Sequence, residues 1–159
     1  MITPLSFAGI IGVVALSLAS GLPTWVALAG WLSYHTRGTS LRDGFYNLAC
    51  LVTGLGIGIV AESLMFKWQA DLRFWALPVA LVLATCGIWL MNFVTGIRNW
   101  PSYLIGVAIV FIAAMEASIS SYLTLTAVVA MGAAVGALLD LTRRSISVRF
   151  RDESGTEYR

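Results

Sequence analysis

Charge is what this chain has least of. Ten Lys and Arg and eight Asp and Glu make up 11% of 159 residues. A soluble domain carries about a quarter charged residues to cover its surface. This sequence is far short of that, so hydrocarbon must face most of the surface. The formal charge is only +2, and the basic residues gather outside the apolar runs. No basic face is available to neutralise phosphates, which excludes nucleic acid as a partner.

Other chemistry-bearing residues are scarce too. Cys50 and Cys86 lie inside apolar runs at no metal or redox spacing, and are expected to be reduced, buried thiols. His35 is the sole histidine and sits at the edge of an apolar run beside Arg37, where it can cap carbonyls or sense protons. No G-x-S-x-G, HExxH, CxxC or phosphate-cradling loop occurs. An enzyme is therefore not expected, and neither a cofactor nor a metal is called for.

What the sequence has is hydrocarbon: 58% hydrophobic residues and a mean hydropathy of +0.85. About 20 apolar residues in a helix cross a bilayer core of about 30 Å. The apolar runs predict an all-α integral membrane protein with six spans. These are Pro4–Ser20, a short Pro23–Tyr34, Phe45–Phe66, Phe74–Ile97, Pro101–Ile119 and Tyr122–Leu141. The first has no basic n-region, so it reads as a span rather than a signal peptide, although Ser17–Ser20 loosely resembles a cleavage site. A single helix over Pro4–Tyr34 would make five spans, but it would extend about 46 Å, and Gly21-Leu22-Pro23 offers a break. Six is the preferred count.

Arg37, Arg42, Arg98, Arg143, Arg144, Arg149, Arg151 and Arg159 fall on one side of these spans, and Lys67 and Arg73 on the other. The bias puts the C-terminus in the cytoplasm. Residues 143–159 read as a polar, frayed cytoplasmic tail. Trp68, Trp75 and Trp100 flank the loops as interfacial anchors.

The chain also resembles itself. Slid by 78 positions without a gap, Pro23 meets Pro101, Ser40 meets Ser118, Ala49 meets Ala127, Gly54 meets Gly132 and Gly58 meets Gly136, while Glu62 meets Asp140. A Pro opens one span, a Gly pair sits inside the next, and an acid closes it. Three spans per copy is odd, so the second copy would enter the bilayer upside down, as in many transporters and channels. The expected units are 1–78, an inverted 79–142, and the tail 143–159.

The stretch PTWVALAGWLSYHTRG, with WPSYLIGVAIVF behind it, resembles the small YcdZ-type family of bacterial inner-membrane proteins over nearly the whole chain. Trp25, Gly30, Trp31, Tyr34, Pro101, Ile105 and Gly106 carry the likeness. It implies a multi-span protein of the bacterial inner membrane and supplies no activity.

Candidate residues have two readings each. Gly54, Gly58, Gly106, Gly132 and Gly136 suit close helix packing, or a crossing that flanks a permeation path. Glu62 and Asp140 are either interfacial residues or guards at two mouths of one pathway, with Glu116 near Glu62. Asn92, Thr53 and Tyr34 complete the pathway candidates; Asn92 would otherwise bond another helix. No Arg or Lys ring lies mid-span, which disfavours anions. The expected function is an oligomeric channel or facilitator for a small neutral or weakly cationic polar solute. The alternative is a non-transporting subunit or scaffold that binds other helices through Gly-x-x-x-Gly faces. Both place the chain in lipid as a homo-oligomer or a partner of other helices.

Overall fold

A computed structural model describes residues 9–15, 18, 23–36, 40–91, 93 and 99–156, with side chains beyond 142 described only at Ser145. Among the described residues the chain is all-α. Residues 9–15 are helical (α1). They are followed by α2 (Thr24–Tyr34), α3 (Leu41–Leu72), a 3-10 turn (Arg73–Trp75), α4 (Ala76–Met91), α5 (Trp100–Ala113) and α6 (Ile119–Thr156).

Local chemistry sets the ends. Pro23 precedes α2, and its carbonyl accepts from Val26 N at 3.0 Å. Ser40 starts α3: its hydroxyl accepts from Asp43 N at 3.0 Å and donates to Asp43 Oδ2. Ser118 does the same for α6, accepting from Ser121 N at 3.1 Å. Arg73, at φ 46°, breaks the backbone between α3 and α4. Pro101 fits the first turn of α5, where its missing N–H costs nothing. Ala114, at φ 48°, ends α5 in the left-handed region.

Several boundaries differ from those read in the sequence. α3 begins before Phe45 and runs past Phe66 to Leu72, because Lys67-Trp68-Gln69 contains no breaker. α5 stops at Ala113, short of Ile119. α6 continues to Thr156 through the expected frayed tail, since no Gly or Pro interrupts the chain between Gly136 and Gly155. Of the two free thiols, Cys50 is buried, but Cys86 is exposed on the outer face of α4.

Two stretches are long and apolar enough to cross a membrane, Leu41–Met91, which contains the break at Arg73, and Ile119–Thr142. Trp100–Ala113 is a shorter apolar helix. The exterior matches: Phe45, Val60, Val82, Trp89, Ile112 and Leu138, spread over four helices, are all more than half exposed. A surface this apolar suits lipid better than water.

Packing rests on two seams. In the first, α3 lies on α5: a Cβ at Gly54 would stand 2.9 Å from Tyr103 Cα, and one at Gly58 would stand 3.3 Å from Val107 Cα. From the other side, a Cβ at Gly106 would stand 2.7 Å from Leu55 N. In the second seam α2 lies on α6. A Cβ at Gly132 would come within 2.8 Å of Ala27 C, one at Gly136 within 3.1 Å of the Tyr34 ring, and one at Gly30 within 2.7 Å of Val129 Cα. Contacts advance together along both members of each seam, so each is a parallel pair. The missing Cβ atoms let backbones touch, and dispersion and weak hydrogen bonds then hold the helices.

α6 crosses α3 in the opposite sense. Tyr122, early in α6, reaches Val52, whereas Gly44 and Leu48 of α3 share a cavity with Ala130, Ala133 and Ala137 further along. One core cluster, with Val26, Leu51, Leu55, Ile109, Leu125 and Val129, joins α2, α3, α5 and α6. A second, around Cys50, Ala61, Ala84, Ile88 and Tyr103, fixes α4 to the back of α3 and α5.

Gly54→Ala and Gly132→Ala should each lower stability by about 1–3 kcal/mol, because the new methyl meets backbone that cannot yield. Gly12→Ala has nothing within 4 Å and should be neutral or stabilising by up to about 1 kcal/mol. Unfolding of the purified chain in detergent measures all three.

Candidate functional site

The glycines of the two seams meet equivalent atoms. Gly54 lies on the Tyr103 carbonyl and Gly132 on that of Ala27; Gly106 lies on the Leu51 carbonyl and Gly30 on that of Val129. Gly58 packs on Val107 and Val110, as Gly136 packs on Trp31 and Tyr34. Equivalent residues are 76 apart between α2 and α5 (Gly30 and Gly106) and 78 apart between α3 and α6 (Gly54 and Gly132). The ungapped offset of 78 therefore holds for one helix pair alone. α5 has 14 residues against 11 in α2, and this extra length shifts the register. Pro23 corresponds to Asn99, the residue before α5, rather than to Pro101.

Side chains differ sharply between the two ends of the bundle. Where α2 ends and α5 begins, five hydrogen-bonding side chains converge. The Asn99 amide nitrogen stands 2.6 Å from Asn47 Oδ1 and 2.8 Å from both Thr36 Oγ1 and Ser102 Oγ. Ser33 and Ser102 hydroxyls bond each other at 2.9 Å. Asn47 Nδ2 donates to the Tyr34 carbonyl at 3.0 Å, and Thr36 Oγ1 donates to that of Ser33 at 2.9 Å. Ser33, Asn47, Asn99 and Ser102 are each at most 5% exposed, and Thr36 alone opens outward. One turn further along the same seam Cys50 and Tyr103 are buried together in the second core cluster. None of the five converging side chains carries a charge.

The positions equivalent to Ser33, Asn47 and Ser102 are Ile109, Leu125 and Val26, all fully buried in the main core cluster. The same backbone crossing is thus wet in composition at one end and dry at the other. A similar contrast surrounds Gly44. An apolar cavity of about 220 Å³ lies beside it, walled by Tyr34, Leu48, Ala133 and Ala137. At the equivalent place Tyr122 fills the space and donates to the Val52 carbonyl at 3.4 Å.

Of the residues singled out in the sequence, Glu62 sits one turn past Gly58 on α3, 4% exposed, and its Oε2 has no hydrogen-bond partner. Asp140 sits one turn past Gly136 on α6 and is half-buried. Since α3 and α6 cross in opposite senses, the two acids lie at opposite ends of the bundle. Glu116 is exposed in the α5–α6 connection. Thr53 turns back onto its own helix, donating to the Ala49 carbonyl at 2.8 Å. Tyr34 is buried, with its ring between Gly44 and Gly136 and its carbonyl in the polar cluster. Asn92 lies outside the described residues. His35 is exposed, with its ring 5.3 Å from Trp31 and 5.1 Å from Tyr34.

Sequence reasoning missed Ser33, Asn47, Asn99 and Ser102. Asn47 and Ser102 lie within a turn or two of helix starts, where polar residues look like ordinary caps. The available signal was Asn47 inside an otherwise apolar face, since an amide in lipid requires a partner.

Apolar helices around a buried uncharged polar cluster define an all-α chain of membrane-protein character. The chain matches the family described as "Protein of unknown function (DUF1097)" over residues 2–143, and it belongs to that family. No curated protein and no solved structure matches it.

Asn47→Ala removes an acceptor from Asn99 and a donor from the Tyr34 carbonyl. It should cost about 1–3 kcal/mol in thermal unfolding. Thr53→Ala and Thr85→Ala lose only bonds to their own helices and should stay within about 0.5 kcal/mol.

Proposed function

We propose that the chain is a multi-pass inner-membrane channel or facilitator for a small neutral or weakly cationic polar solute. Residues 1–78 and 79–142 form two inverted three-helix repeats, and copies of the chain associate. The observation that carries this reading is the equivalence of the two seams. Gly54 and Gly106 in α3/α5 and Gly132 and Gly30 in α2/α6 make matching backbone contacts, Gly58 and Gly136 pack on equivalent residues, and α3 and α6 cross in opposite senses. Repeats of this kind place solute sites where the halves meet. The buried cluster around Asn47 and Ser102 is at such a junction.

The solute class follows from the lining. Buried hydrogen-bonding groups without a cation among them suit an uncharged or weakly cationic solute and offer an anion no counter-charge. Glu62, buried at the far end of α3, adds an acidic side chain there. Both seams are closed backbone to backbone, so a route lies away from them and association of copies supplies further walls. The scaffold alternative is disfavoured because Gly30, Gly54, Gly58, Gly106, Gly132 and Gly136 all face helices of their own chain. The excess of Arg on one side orients the C-terminus to the cytoplasm.

Flux into liposomes carrying the full chain, assayed with neutral amides, polyols, monovalent cations and anions, tests the reading. Neutral solutes or cations should cross and anions should not. Glu62→Ala should change the rate or the cation preference without loss of the folded protein. Absence of flux for every solute would sink the proposal.

A further inference from the structure

We infer that the cluster of Ser33, Thr36, Asn47, Asn99 and Ser102 is a binding site for a small uncharged solute bearing an N–H₂ group, a primary amide in chemical class. This inference rests on the transport reading and names the solute of that same junction.

The first argument is that packing does not demand these polar groups. Val26, Ile109 and Leu125 hold the equivalent places and build an ordinary dry core there. Buried hydrogen-bonding groups are costly to assemble in an apolar setting, so three polar side chains where the equivalent places hold Val26, Ile109 and Leu125 call for another role.

The second argument is the arrangement of atoms. Three oxygens, Asn47 Oδ1, Thr36 Oγ1 and Ser102 Oγ, stand 2.6–2.8 Å from a single amide nitrogen. An N–H₂ group has two hydrogens, so the cage offers more acceptors than its resident donor can serve. Asn47 cannot turn its own donor inward, because that nitrogen is engaged with the Tyr34 carbonyl. Asn99 thus occupies a pocket shaped for a primary amide, and a solute amide entering past the exposed Thr36 would take over its hydrogen bonds one for one. Asn99 is also the residue before α5, yet its side chain does not cap that helix.

Third, the site favours a neutral ligand. The C-terminal end of α2 and the N-terminal end of α5 meet here, and their partial charges are opposite in sign. No charged side chain belongs to the cluster.

The test compares the wild-type chain in lipid nanodiscs with a variant carrying Ser33→Ile, Asn47→Leu, Ser102→Val and Asn99→Ala. A less bulky version, with Ala at 33 and 102, guards against overpacking. Acetamide and formamide should raise the wild-type Tm by about 2 °C or more at saturation. Glycerol and ammonium should do much less. At least one of the two variants should fold cooperatively, with a Tm lowered by no more than the loss of the Asn47 donor to the Tyr34 carbonyl, and lose the amide response. Failure of both to fold makes the cluster structural and overturns the inference, as does an amide shift that survives in them or is absent from wild type. The flux assay separates the two levels. Wild-type flux of other solutes with no amide binding refutes this site alone, whereas cluster-dependent amide binding with no flux refutes transport alone.

Discussion

Backbone contact through missing Cβ atoms is the constraint on which this molecule is built. At Gly54, Gly106, Gly30 and Gly132 the facing helix presents a carbonyl oxygen and further backbone atoms, with no flexible side-chain tip between. Such a contact tolerates almost no sliding, because the next residue along the helix carries a Cβ that would strike backbone. Register along each seam is therefore fixed by glycine position. Everything else, including the meeting of α2, α3 and α5 around Asn47, inherits that register. Lipid offers little hydrophobic drive for helices to associate, so close van der Waals fit has to supply it.

With the frame fixed twice over, side-chain chemistry is free to diverge, and it does so in a consistent direction. At one end stand Ser33, Asn47 and Ser102, and near them a cavity beside Gly44; at the other stand Ile109, Leu125 and Val26, and a Tyr122 ring filling the corresponding space. The apolar version also packs, so the polar side chains are not needed to fill space, although Asn47 and Thr36 serve the Tyr34 and Ser33 carbonyls at the end of α2. Satisfied hydrogen bonds in the cluster remove most of its cost, so it sits buried without unfolding the helices around it.

Part of this was legible from the residues in order. The hydropathy runs announce helices, and Gly54, Gly58, Gly132 and Gly136 stand out by their spacing. The Ser40 and Ser118 caps coincide at an offset of 78 because each precedes the helix carrying a Gly pair. Register between α2 and α5 was hidden: Pro23 and Pro101 align more conspicuously than Gly30 and Gly106, yet it is the glycines that touch backbone. A proline at a helix start tolerates a shift of a residue or two, and a glycine in a backbone contact does not. The polar cluster was hidden for a different reason. Its members come from positions 33 to 102, and no local pattern links a Ser at the end of one helix to an Asn before another.

Glu62 and Asp140 show what the arrangement does with like groups. Each lies one turn beyond the second glycine of its seam, so each seam ends in a carboxylate. Because α3 and α6 cross in opposite senses, the two acids fall at opposite ends of the bundle and cannot form a shared carboxylate pair. Their surroundings differ too: Glu62 is 4% exposed with Oε2 unpartnered, while Asp140 is half-buried. At the end that holds Glu62 the core is built on Val26, Ile109 and Leu125, with Ser121 and Thr126 the buried hydroxyls nearby, and the end that holds Asp140 also holds the uncharged cluster. The two ends thus differ in chemistry, with a neutral hydrogen-bonding cluster and a half-buried acid at one and a buried acid at the other.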